Sequence, residues 1–248
     1  MRPLLVFSFS FVVLWLSARI GAELRRRQVL EDDLRHDLDV VVAAILTLLG
    51  LIIGFSFSMA TTRYDQRKNY EEAEANAIGT EYVRADLLPA ADAARVRSLL
   101  SDYLDQRILF YQTRNQTGLR QVNDATAHLQ AELWSAVQPA GAPPTPLLAL
   151  AVSGMNDVLN SQGYTQAAWL NRIPTAAWIM MLGIAIFANV MFGYGARRAT
   201  PGVIHLVVLP LVLSIAFFLI ADIDSPRAGV IRVAPQNLMS LAQSLHPR

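Results

Sequence analysis

VVVAAILTLLGLIIGFSFSMA, residues 40–60, runs straight into TTRYDQRKNYEEAEANAIGTEYVRADLL, residues 61–88. The first part has no charged side chain. At about 1.5 Å per helical residue it is long enough to cross a hydrocarbon core of about 30 Å. The second part is dense in charge, yet it has no proline before Pro89, and Gly79 is its one weak helical position. The pair therefore predicts a single helix that leaves a membrane and keeps going.

Three other stretches match the apolar half. They are PLLVFSFSFVVLWLSARIGA (3–22), PTAAWIMMLGIAIFANVMFGYG (174–195) and GVIHLVVLPLVLSIAFFLIA (202–221). Arg19 is the only charge among them, close enough to a helix end to snorkel to the headgroups. Composition agrees: 53% of the 248 residues are hydrophobic and 17% charged, where a soluble domain carries about 25% charge. Arg25, Arg26 and Arg27 follow the first stretch, which marks it as an anchor rather than a cleaved leader.

The predicted fold class is all-α, with four transmembrane helices and a helical extramembrane bundle between the second and third. Residues 1–60 hold the first two crossings and a short charged loop. Residues 61–173 form the extramembrane segment, 174–221 a transmembrane hairpin, and 222–248 a C-terminal tail. Within the large segment, Val96, Leu99, Leu100, Tyr103, Leu104, Ile108 and Tyr111 form one apolar stripe. Leu119, Val122, Thr126, Leu129, Leu133 and Ala136 form a heptad-like seam. Residues 138–146, QPAGAPPTP, predict a loop, and 147–172 a helix interrupted near Ser161–Tyr164. The two short loops carry Arg25, Arg26, Arg27, Arg35, Arg197 and Arg198. The positive-inside tendency puts these loops in the cytoplasm and residues 61–173 outside it.

Some function classes are excluded early. Lys+Arg 21 against Asp+Glu 20 gives +1, so there is no basic field to attract nucleic acid. There is no cysteine, and the four histidines are too scattered for a metal site. No nucleophile elbow, phosphate-cradling loop or paired-carboxylate motif is present, so no catalytic residue, cofactor or enzyme activity is expected.

The candidate site residues lie along the second crossing and at the end of the fourth. Gly50, Gly54, Ser58 and Thr62 recur every four residues and make a smooth strip for close helix packing, or for lining a narrow path. Arg67, Glu74 and Glu81 recur every seven and share a helix face. In an oligomer built around this helix, Arg63, Glu74, Glu81 and Arg84 are candidates for rings of charge that filter ions. The bland alternative is a solvated helix with pairs such as Arg67–Glu71. Asp222, Asp224 and Arg227, in DIDSPR, predict a charge layer in which an aspartate pairs with Arg63, Arg67 or Arg84. Asn189 is expected to bond a neighbouring helix, and Pro210 to bend its own.

GFSFSMATTRYDQRKNYEEAEANAIGTEYVRADLLP (54–89) resembles the bestrophin-like domain family of bacterial membrane proteins. So do HLQAELW (128–134), MNDVLN (155–160), NRIP (171–174) and DIDSPRAGVIRV (222–233). The resemblance implies a multi-pass protein of the bacterial inner membrane, distantly like bestrophins, which are oligomeric anion channels with four membrane helices. It also implies a cytoplasmic large segment, the reverse of the loop-charge reading. The stretch SQGYTQAAWL (161–170) lacks the adjacent basic residues that the family often carries there. The expected function is an oligomeric channel whose partners are the lipid bilayer, further copies of the chain and inorganic ions. The alternative is a non-conducting scaffold or sensor that binds a partner through residues 61–173.

Overall fold

The computed structural model describes residues 2–26, 32–138, 145–196 and 203–245. Arg27, Arg197 and Arg198 of the short loops, and most of the proline-rich loop, lie outside these residues. So does the side chain of Arg35. The described elements are all helical, as predicted: α1 (Pro3–Arg26), α2 (Asp32–Arg84), α3 (Ala90–Gln112), α4 (Gln116–Ala136), α5 (Pro146–Leu170), α6 (Thr175–Tyr194), α7 (Val203–Asp224) and α8 (Gln236–Leu245). A 3-10 turn at Ala85–Leu87 ends α2 ahead of Pro89. Among the described residues four helices are long and apolar enough to cross a membrane: α1, α2, one running into α6, and α7. The 53 residues of α2 span about 80 Å at the helical rise, with no break between Ala60 and Tyr70.

The chain divides into two compact units. The first comprises residues 1–63 and 172–231. Here α1 packs along both α6 and α7, which touch each other only briefly, through contacts such as Trp178 on Phe217 at 6.4 Å. The first helix thus lies against both members of the expected pair. Glycine allows it: a Cβ on Gly21 would overlap the Val190 carbonyl oxygen, and one on Gly193 would overlap that of Ala18. Two backbones meet there with no side chain between them, the arrangement that substitutes for hydrophobic burial inside lipid. Ser10 and Ser17 donate to the Phe7 and Val13 carbonyls (3.1 and 2.8 Å), so their hydroxyls are satisfied within α1. Asn189 donates to Ala185, one turn back in its own helix, at 2.8 Å rather than to a neighbour.

The second unit comprises residues 64–171 and 232–248. Its core joins Ile78 of α2, Val96, Leu100, Tyr103 and Leu104 of α3, Leu133 of α4, Met155 and Val158 of α5, and Leu238 of α8. The stripes read from the sequence are the buried faces; Leu99, Ile108, Leu119 and Leu129 are partly buried at their margins. Asn115 and Thr145 cap α4 and α5 by accepting from Gly118 N and Leu148 N. The expected interruption near Ser161–Tyr164 does not occur, and α5 runs through it. Ser161 donates to the Val158 carbonyl at 2.7 Å, and Ser161 and Thr165 are buried, so packing overrides weak local propensity.

Candidate functional site

In the first unit, α2 has two different faces. Val42, Leu49, Ser56 and Ala60 are turned inward and buried. Gly50, Gly54, Ser58 and Thr62 lie on the opposite side, all exposed, and nothing stands within 4 Å of a Cβ built on either glycine. Among the described residues nothing packs on the two glycines of this strip, whereas Gly21 and Gly193 each meet a neighbouring backbone. Only 11% of the apolar window of α2 is buried, against 50% for α7.

At the end of α7 the aspartates are enclosed and occupied. Asp222 accepts from Val230 N and Ile231 N, one to each carboxylate oxygen, both at 2.8 Å. This folds DIDSPRAGV into a tight return, and Gly229 is required there because a Cβ would overlap the Asp222 carbonyl oxygen. Asp224 Oδ1 accepts from Ile173 N at 3.1 Å and lies 3.9 Å from Arg63 Nη1. Arg172 donates to the Asp224 carbonyl at 2.7 Å. Arg227 is half-buried. Asp224 thus lies against Arg63, while Asp222 serves backbone amides. Sequence reasoning missed Arg172, although NRIP places it directly before the third crossing. Asp224→Ala is expected to lower stability by about 2–3 kcal/mol, because it strands a buried N–H and removes a charged partner. Asp224→Asn keeps the acceptor for Ile173 N and should cost clearly less. Thermal unfolding of the full chain in detergent separates the two.

In the second unit, the seven-residue repeat of α2 is turned toward the protein interior. Arg67, Glu71, Glu74 and Glu81 are all at most 1% exposed. Arg67 donates to the Ala168 and Asn171 carbonyls (3.3 and 3.4 Å), a cation at the C-terminal end of α5. Glu71 takes Leu238 N (3.0 Å) and Asn237 Nδ2 (2.6 Å), and so caps the first turn of α8. Glu74 accepts from Arg107 Nε (2.5 Å), Thr165 Oγ1 (3.2 Å) and Tyr111 Oη (3.4 Å). Burial and the Glu74 charge push the Tyr103 and Tyr111 phenols up. Burial works against the Arg107 cation, but Glu74, Tyr103 and Tyr111 together outweigh it and leave Arg107 more firmly protonated than usual. A seven-residue repeat identifies a shared face; it does not say whether that face meets water or protein. Ala75, Ile78 and Ala85 share this one and decide the matter. Arg107 was missed as well. Its signal was position, since it falls on the stripe with Tyr103, Leu104 and Tyr111.

Glu81 is fully enclosed, and among the described residues neither of its carboxylate oxygens has a hydrogen-bond partner. Burial pushes its carboxyl up to about 7; Arg84 pulls it down and Asp157 adds to the rise. Arg84 is half-buried next to it. Among the described residues no cluster of His, Asp and Glu is arranged to hold a metal ion.

The family model for the bestrophin-like domain matches residues 4–238. The chain belongs to the bestrophin-like domain family. This bestrophin-like chain also shares its fold with solved structures. A bacterial bestrophin homologue from Klebsiella pneumoniae, crystallised as a single-residue variant, superposes with a TM-score of 0.65 at 14% identity, covering 96% of this chain and 97% of that one. A structure of the same homologue solved by zinc phasing gives a TM-score of 0.63 at 15% identity, covering 96% of each chain. At such identity the likeness concerns the fold. No curated protein sequence matches.

Proposed function

We propose that the bestrophin-like chain assembles with copies of itself around α2 and that the assembly passes inorganic ions. One observation carries this reading: a membrane-crossing helix keeps a four-residue small strip, Gly50, Gly54, Ser58 and Thr62, exposed, with no other helix against either glycine among the described residues. Small residues on a lipid-immersed helix serve close approach of another backbone or a narrow path. The resemblance to bestrophins, and the shared fold, support the same arrangement.

In this reading the strip faces the common axis. Arg63 with Asp222, Asp224 and Arg227 fixes the height of α2 at the membrane margin. Glu74, Glu81 and Arg84 hold the helical bundle rather than front the path.

Pure protein in liposomes is expected to give ion flux. Gly54→Leu is expected to reduce the particle in detergent to a single subunit and to abolish flux. The open space at Gly54 lets the subunit itself accept leucine. A wild-type protein that is oligomeric but passes no ion supports a scaffold instead. An unchanged particle size for Gly54→Leu removes the strip from the interface.

A further inference from the structure

Among the enclosed carboxylates described, Glu81 alone lacks a partner on both oxygens; Glu71, Glu74, Asp222 and Asp224 are each hydrogen-bonded. Its surroundings are specific. Across from it on α5 sits Gly154, where an added Cβ would overlap Glu81 Oε2 and Arg84 Nη1 and come within 3.0 Å of Arg84 Cδ. Both side-chain heads therefore occupy a notch left by the missing side chain. Arg84 shares the notch without hydrogen-bonding to the carboxylate. The charged groups acting on Glu81 are Arg84 from its own helix and Asp157 from α5, the latter exposed. A carboxylate enclosed without donors is costly as an anion and tolerable as a neutral acid.

We propose that Glu81 is a proton-binding site, neutral in the folded bundle at acidic pH, and that its ionisation loosens the seam between α2 and α5 at Gly154. The direction of the pH effect follows from burial. The folded carboxyl is raised from 4.5 to about 7, so between these values the folded chain keeps a proton that the unfolded chain has released. The contribution to stability is complete below the lower value and is lost as pH rises through the upper one.

The test uses the full chain in detergent, titrated across about pH 4.5 to 9. Infrared difference spectra of the wild type are expected to show a protonated-carboxyl band that disappears with a midpoint near neutrality and is absent in Glu81→Gln. Asp157→Asn should move the midpoint down, and Arg84→Gln should move it up, each by about half a pH unit. Hydrogen exchange of the α5 amides around Gly154, corrected for the intrinsic pH dependence, should quicken above the midpoint in the wild type and not in Glu81→Gln. A wild type with no such band, or a midpoint that ignores both neighbouring substitutions, overturns the proposal. Should Glu81→Gln fail to accumulate, the shift in Asp157→Asn still decides, because that side chain is exposed. The titration needs no ion flux, so it stands or falls apart from the channel reading.

Discussion

Arg107→Leu is expected to destabilise the helical bundle by about 3–5 kcal/mol, the largest single effect foreseen for any side chain in it. The reason is what the change leaves behind. Arg107 and Glu74 are both fully enclosed, joined through Arg107 Nε and Glu74 Oε1, with Phe110 under the guanidinium at 4.5 Å. Removing the cation strands a carboxylate with only Thr165 and Tyr111 as neutral donors. Burial of an unpaired anion is far more expensive than the pair's own net worth. Removing both charges together should therefore recover most of the loss. The cycle Arg107→Leu, Glu74→Leu and the double variant, followed by thermal unfolding in detergent, is expected to be strongly non-additive. Additive costs would show that the two side chains do not act as a unit.

Gly193→Val is the second large effect, and it acts through backbone rather than charge. A Cβ at this position would overlap the Ala18 carbonyl oxygen and stand 3.0 Å from Ala22 N. Neither atom can turn aside as a side-chain end would, so α1 must move away from α6. Overpacking costs about 1–3 kcal/mol where neighbours can shift, and more where they cannot. The variant should lose α1 from the membrane unit, seen as new proteolysis within residues 3–26 and a fall in folded yield. Gly50→Ala, where nothing stands within 4 Å, is expected to leave the subunit's stability unchanged. Equal tolerance of the two changes would contradict the packing described.

The contrast between these glycines explains what the sequence could and could not show. The four crossings, the unbroken α2 and the stripes of α3 and α4 were legible because hydropathy and periodicity depend on local order alone. The direction of a face was not. Glu74 and Glu81 lie on one side of α2 by spacing, but only tertiary packing shows that this side is turned inward. Gly50 and Gly54 stood out by their spacing, while Gly21 and Gly193, the glycines that bring helices together within the chain, belong to separate segments 172 residues apart. α8 was not foreseen, since ten residues form a marginal helix without support. The Asp224–Arg63 pairing was legible because helix ends on one side of a membrane collect charges at one depth.

The capping of α8 by Glu71 ties the second unit to the order of synthesis. The acceptor of Leu238 N lies 167 residues upstream of it. Glu71 thus emerges from the ribosome long before its partners do, and Leu238, wholly enclosed in the finished core, arrives 167 residues later. Until residues 237 and 238 have been translated, a carboxylate at the heart of this unit can be satisfied only by water. The bundle then completes itself only once this later segment has been made, with its apolar interior open for that interval.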